Sequence, residues 1–189
     1  MAGVGAVGMR RRREMPPVAG AWRVEEVVWG DSQRVRLTTG PPTLVESVEH
    51  VRSVHAVAFH TEGVLVVQNR DGSWTFPGGR LEGGESMEDA LHRELWEEAR
   101  ARIVPDYQPL AATRIDFVNR VPGRVYRVHP TYLLWVIGSV EELSDEPHHD
   151  PANAVGARKV VEADEAHRLL PLLEQRVLAE ALPRPVGSL

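Results

Sequence analysis

The chain has no cysteine in its 189 residues. That excludes disulfides, thiolate metal sites and any reaction that depends on a reactive thiol. Aromatic residues make up only 6%, and 22 Lys and Arg face 27 Asp and Glu for a net charge of −5. No basic field with interleaved aromatics exists to recruit nucleic acid, so no nucleic-acid partner is expected. Long apolar runs are also missing, since none approaches the ~18 residues of a membrane span. Glu14, Pro16 and Pro17 interrupt the stretch where a signal peptide would place its apolar region after Arg10–Arg13. The expectation is a cytoplasmic protein without a membrane partner. Residues 1–20 are small, basic and proline-marked and read as a disordered tail, with a short second tail at 184–189. Between them, residues 21–183 suit one domain, since 42% hydrophobic and 26% charged residues can bury a sizeable core.

What is present begins with strand patterns. Ala21 to Thr39 reads as a hairpin around Gly30-Asp31-Ser32, ended by Gly40-Pro41-Pro42. Val54–Phe59 and Val64–Gln68 are valine-rich and predict central strands. Further strands are predicted at Arg102–Val104, Leu110–Val118, Arg124–His129 and Ala157–Val161. Thr131–Val140, the most continuous apolar run, is expected in the middle of the sheet. Glu162 to Leu182 predicts a helix interrupted at Pro171, with Leu169, Leu172, Leu173, Val177 and Leu178 as its core face. Strands with one helix in the middle and one at the end imply an α/β fold, a mixed sheet covered on both sides.

The chain is organised around Gly78 to Ile103, a glycine-rich turn running straight into a helix. Ser86 with Asp89 three residues on is a capping-box-like start, and a helix follows from about Met87 to Arg100. At ~100° per residue, Glu94 and Glu98 lie within about 40° of each other and Glu97 about 60° from Glu94. Met87, Leu91, Leu95 and Ala99 form an apolar stripe beside this acidic sector, so the acids sit at the edge of the core. A solvated helix face is the plain alternative, and Arg93 to Glu97 is an ordinary i, i+4 pair. Like charges at this spacing nevertheless repel one another, and a divalent cation removes the repulsion. Hard oxygen donors suit Mg²⁺ or Mn²⁺.

The order of residues resembles the Nudix box: Gly79, then Glu85, Arg93-Glu94-Leu95 and Glu97-Glu98, preceded by Phe76-Pro77-Gly78-Gly79. Arg100 stands where the family pattern has glycine, and Ala101 is a weak aliphatic. The resemblance is sharp over residues 74–99, topological over about 50–182, and does not reach residues 1–20. It implies the Nudix-type α/β/α sandwich with a mixed β-sheet. Residues 21–40 would then be an N-terminal β-hairpin extension used in dimerisation, giving a homodimer, or in substrate closure.

The resemblance also implies a metal-dependent hydrolase that cleaves the diphosphate linkage of a nucleoside diphosphate derivative or nucleoside triphosphate. Glu94 and Glu98 would be the principal metal ligands, Glu97 a third ligand or water-orienting group, and the Gly79 carbonyl a backbone ligand. Glu85 and Arg93 match the family's structural ion pair. Arg70 and Arg80 are candidates for bidentate contact with phosphate. Among the acidic loop residues after Val140, Glu146 is the expected general base, with Glu97 as its competitor. His148-His149 are read as solvated. Phe117, Trp74 and Tyr126 are candidates to stack on a base or to join the core. The rival readings are a catalytically weak or inactive nucleotide sensor on the same fold, a decapping enzyme, and an isopentenyl diphosphate isomerase, which would want the cysteine that the chain lacks. Helix continuation through Arg100 is favoured over an exit there, because Arg100 and Arg102 suit the negative end of the helix dipole.

Overall fold

A computed structural model describes residues 18–30, 32–126, 128–146 and 155–182. Most of the expected N-terminal tail, the C-terminal tail and the His148-His149 pair lie outside the described residues. The hairpin forms as β1 (Arg23–Trp29) and β2 (Gln33–Gly40), in unbroken antiparallel register from Arg23↔Thr39 to Trp29↔Gln33. There follow β3 (Val51–His60), β4 (Gly63–Asn69), β5 (Trp74–Thr75), β6 (Gly78–Arg80), α1 (Met87–Ala99), β7 (Ala101–Ile103), β8 (Gln108–Phe117), β9 (Thr131–Leu143), β10 (Val155–Val161), α2 (Ala163–Leu169) and α3 (Leu172–Ala181).

The main sheet runs β1-β2-β8-β9-β3-β4-β10, with β5, β6 and β7 attached to β4, β3 and β9. β9 is central, as its apolar run predicts. It pairs parallel with β3 and antiparallel with β8, so the sheet is mixed. Alternation of side chains across the strands explains how both faces are covered. Val54, Ala56 and Ala58 of β3 and Leu65 and Val67 of β4 meet Leu91, Leu95 and Ala99 of α1 on one side. Val57, Val64 and Val66 meet Ala166 of α2 and Val177 and Leu178 of α3 on the other. Burying each such leucine or valine contributes about 1.5–3 kcal/mol, enough to seat three short helices that would be marginal alone. Among the described residues, no helix is long and apolar enough to cross a membrane.

Three expectations are corrected. The residues described between Arg124 and His129 form no strand. Both sides of β8 are already paired, to β2 and to β9, so the connecting segment finds no open edge. Instead, the Tyr126 phenol donates to Gln33 and accepts from the Val121 amide, pinning the segment by a side chain. Leu172 is 60% exposed and is not part of the core face. It opens α3 directly after Pro171, a turn of the wheel away from the buried Val177 and Leu178.

The third correction is the end of α1. Arg100 takes φ 48° and ψ 40° in the left-handed region, and the helix stops at Ala99. Non-local pairing overrides helix propensity here, because Ala101 and Ile103 are drawn into register with Leu143 and Val140 of β9. That places β7 at Ala101–Ile103, one residue before its predicted start. The Arg158 guanidinium, from β10, donates to the exposed carbonyls of Ala99 and Arg100 and to Ser144. A non-glycine residue in this conformation costs about 1–2 kcal/mol, partly offset by the Arg100 guanidinium lying 5.3 Å from the Trp96 ring centroid. Arg100→Gly is therefore expected to stabilise the protein by about 1 kcal/mol and raise Tm by about 2–4 °C. A lowered Tm in a thermal melt would contradict the strain argument.

Candidate active site

The helix that carries the acidic sector starts as its sequence predicts. Ser86 Oγ accepts from the Asp89 amide at 3.0 Å and donates to Asp89 Oδ2 at 2.6 Å. The glycine-rich turn before it is closed by the Glu82 amide donating to Glu85 Oε2 at 2.8 Å. Arg93 locks this loop to α1. Its Nε donates to Glu85 Oε1 at 2.8 Å and its Nη2 to Glu85 Oε2 at 3.0 Å, a fork-to-fork pair, while Nη2 also reaches the Arg80 carbonyl at 3.0 Å. Nη1 lies 3.0 Å from Glu94 Oε1 and 3.3 Å from Glu97 Oε2. The Glu85 carboxyl is held below its ordinary range chiefly by Arg93 and then by the Glu82 amide. Arg93 is raised in turn, with its bond to Glu85 as the first cause.

Two glycines let the sheet approach the acids. The Gly78 amide donates to Glu98 Oε2 at 2.9 Å. A Cβ on Gly79 would fall 2.2 Å from Glu94 Oε1, so only glycine leaves that carboxylate its place against β6. Gly78 has φ 143°, and a Cβ there would meet the Val54 carbonyl oxygen at 2.3 Å. Glu94, Glu97 and Glu98 are thus half-buried on α1, two of them packed on the backbone of β6. Among the described residues, no three Asp, Glu or His gather into a ready-made metal cage. Arg93 and the Gly78 amide share the carboxylates instead. The donor set is nonetheless of the right kind: hard oxygens from Glu94, Glu97 and Glu98 beside the Gly79 backbone, with the missing Cβ leaving the room. It fits a small divalent cation.

Gly79 and Arg80 also line a cavity of about 770 Å³ on the α3 side of the sheet. Its walls are mainly apolar, from Val27 and Trp29 of β1, Ile115 and Phe117 of β8, and Leu133 and Trp135 of β9. Among the polar lining residues that escape a reading of the sequence are Arg52, His55 and Glu174. His55 packs on Trp135 with ring centroids 5.2 Å apart. Burial pushes its pKa down to about 4, the Phe76 backbone opposing in part, so the ring is neutral. Glu174 is 7% exposed, and its Oε2 accepts from the Phe76 amide at 2.7 Å. Burial pushes its pKa up to about 8, against the effect of that amide. One signal was present in the sequence, because Glu174 shares the i, i+3, i+4 face of Val177 and Leu178.

A raised carboxyl pKa means that the folded state holds a proton which the unfolded chain, near 4.5, has released. Stability is then greatest below about 4.5, falls as pH rises towards about 8, and levels above it. Glu174→Gln, which cannot ionise, should be less stable than or equal to the wild type at pH 5 and more stable at pH 8.5. Melting curves across that range are the check, and parallel pH profiles for the two proteins would contradict the shift.

The remaining predicted residues divide. Arg80 and Phe117 line the cavity. Arg70 is exposed in the turn after β4, at the β10 edge of the sheet, and is not brought to it. Trp74 carries the Lys159 ammonium 5.1 Å from its ring, and Tyr126 is engaged with Gln33. Glu142 pairs with Arg102 at 3.1 Å. Glu146 is exposed just beyond β9, where the Ser144 amide reaches the Arg100 carbonyl at 2.9 Å. That bond carries the loop to the end of α1 that holds Glu97 and Glu98.

A mixed sheet between helices, with a glycine turn feeding an acid-bearing helix, defines a class of protein. The chain belongs to the NUDIX domain family, whose model matches residues 49–184. The hairpin β1-β2 precedes the matched region. An RNA pyrophosphohydrolase of Shewanella frigidimarina is 46% identical over 56 residues, 29% of this chain and 31% of that protein. A MutT-like protein of Streptomyces ambofaciens is 32% identical over 110 residues, 57% of this chain and 62% of that protein. The chain thus spans about a third to three-fifths of the length of these curated relatives. A pyrophosphohydrolase of Bacillus subtilis has the same fold, with TM-score 0.55 at 15% identity over 82% of this chain and 94% of that one. A NUDIX hydrolase from Nitrosomonas europaea gives TM-score 0.50 at 20% identity over 69% and 86%.

Proposed function

We propose that the protein hydrolyses a phosphoric anhydride bond of a nucleoside triphosphate or nucleoside diphosphate derivative, with Mg²⁺ or Mn²⁺. The observation that carries this reading is the placing of Glu94, Glu97 and Glu98 beside the β6 backbone, where Glu94 packs on Gly79, a residue that also lines the apolar cavity. A diphosphate at the cleft would set its nucleoside side in a cavity of the size small molecules use. A divalent cation held by Glu94, Glu98 and the Gly79 carbonyl would neutralise diphosphate charge and make water a better nucleophile. Glu97, tied to Arg93, would complete or orient this set. Arg80 and Arg52 at the rim would meet phosphate oxygens. The Glu85–Arg93 pair would hold the loop in register with the helix, and Glu146 would take the proton from water, with Glu97 as its rival. The hairpin, which contributes Val27, Trp29 and Leu37 to the cavity, would serve substrate closure.

The test is a panel of nucleoside triphosphates, nucleoside diphosphate derivatives and a 5′-triphosphorylated oligonucleotide, each with Mg²⁺ or Mn²⁺. Products are scored as phosphate, pyrophosphate or nucleoside monophosphate. Release from small nucleotides supports the reading. Cleavage confined to the oligonucleotide moves the substrate to RNA ends, the substrate named for the Shewanella relative. Tight nucleotide binding without any product would make the protein a sensor. In the same assay, Glu146→Gln against Glu97→Gln identifies the base as the variant that loses kcat while keeping cation affinity.

A further inference from the structure

Some polar groups of the cavity are already engaged, whereas the buried His55 Nδ1 has no hydrogen-bond partner. The Thr113 hydroxyl lies 2.9 Å from Thr39 Oγ1 and accepts from Trp135 Nε1 at 3.0 Å. Glu25 is paired with Arg23 at 2.8 Å. Arg52 and Arg80 sit at the rim, where phosphate would pass. Glu174 differs from these. It lies in the wall of the cavity on α3, almost wholly buried, and among the described residues no cation pairs with it. One of its oxygens holds the Phe76 amide, three residues before Gly79, so its position is fixed by the same segment that shapes the carboxylate cleft. A carboxylate offers about four lone-pair sites, and the Phe76 amide uses one.

We propose that Glu174 is the residue that selects the base, and that it selects guanine. The inference rests on the nucleotide reading above. An ionised carboxylate is an acceptor only. Guanine presents two adjacent donors, its ring N1–H and exocyclic N2–H, which such a group accepts together. Adenine presents one donor, on N6, beside an unprotonated ring nitrogen that would face an ionised carboxylate oxygen lone pair to lone pair, so only the protonated carboxyl, which can donate, matches it. A buried polar group left unpaired by the wrong ligand is the strongest source of discrimination available to such a pocket.

Burial raises the Glu174 carboxyl to about 8, which favours its protonated form near neutral pH. Accepting two N–H groups requires its ionised form, so guanine binding releases a proton. Guanine affinity must therefore strengthen with pH up to about 8 and then level. The charged and titratable groups around Glu174 do not mimic this. His55 on β3 is held neutral by burial, Glu25 on β1 is paired with Arg23, and the guanidinium groups of Arg52 on β3 and Arg80 on β6 lie at the exposed rim.

The experiment measures Kd for non-hydrolysable methylene analogues of GTP and ATP with Mg²⁺ between pH 6.5 and 8.5, in the wild type and Glu174→Gln. Taking the ratio of the two affinities cancels titration of the phosphates. The wild type should favour the guanine analogue by at least about 30-fold at pH 8.5, with the preference shrinking up to about tenfold for each pH unit below 8. Glu174→Gln is isosteric and keeps an acceptor for the Phe76 amide, so its preference should be small and flat with pH. A wild-type preference that is absent, or independent of pH, overturns the assignment without any variant, as does a Gln variant that keeps the wild-type profile. Hydrolysis of GTP and ATP with equal efficiency in the panel sinks this inference and leaves the proposed function standing. Failure of both analogues to bind overturns this inference and confines the proposed function to nucleoside diphosphate derivatives.

Discussion

Glu98→Gln should lower turnover by at least about 10²-fold while leaving the melting temperature nearly unchanged. Glu98 sits in the last turn of α1, where its Oε2 accepts from the Gly78 amide. Glutamine keeps an oxygen for that hydrogen bond and loses only the charge, so the substitution separates the chemical role of the side chain from its packing. Excess chelator applied to the wild type should produce a loss of the same order. Undiminished hydrolysis by the variant, or by the wild type in chelator, would remove the carboxylates of α1 from any part in holding a cation.

Arg93→Ala should destabilise the fold as well as the activity. Its guanidinium serves Glu85, Glu94, Glu97 and the Arg80 carbonyl at once, with the side chain 24% exposed. Removing it leaves three half-buried carboxylates without their shared cation and frees the Glu82–Glu85 turn from α1. A fully buried pair broken in this way costs about 3–5 kcal/mol. Partial exposure reduces that to about 2–3 kcal/mol, or about 5–10 °C in Tm for a chain of this size. Arg93→Lys should recover little of it, because a point charge cannot make the fork to Glu85. Added divalent cation should restore part of the Tm of Arg93→Ala, since it neutralises the same carboxylates. A loss below about 1 kcal/mol, unaffected by cation, would show that the loop and the helix are held together by packing alone.

The parts of the fold that the sequence makes legible are those governed by local rules. Ser86 with Asp89 marks the start of α1, the stripe of Leu91, Leu95 and Ala99 marks its buried face, and the apolar run from Thr131 marks the central strand. Where the outcome depends on residues far apart in the chain, local reading fails. Arg100 hints at a left-handed exit only through the glycine that the family pattern has at its place, and its own side chain argues for continuation, whereas the exit goes with the pairing of β7 to β9. Arg124 to His129 reads as a strand after the Pro122-Gly123 turn, yet both sides of β8 are taken in the folded sheet by β2 and β9. The candidate site divides in the same way. Glu85, Arg93, Glu94, Glu97 and Glu98 fall within one loop and one helix, so their spacing alone groups them. The cavity is assembled from β1, β2, β3, β8, β9 and α3, and no local pattern announces that Arg52, His55 and Glu174 meet there. Arg70, equally basic and equally close to the box, is carried by β4 to the other edge of the sheet.

Arg158 also has a consequence for the order in which the molecule matures. Its hydrogen bond to the Ala99 carbonyl joins residues 59 apart in the chain, so the carboxyl end of α1 is secured only once β10 has docked. A nascent chain that has emerged through β9 already owns every carboxylate of the helix and most of the sheet. Its last helical turn, which bears Glu97 and Glu98, lacks the Arg158 cap on the Ala99 carbonyl until β10 docks. The full capping of the helix that carries these carboxylates is thus among the last contacts the polypeptide can acquire.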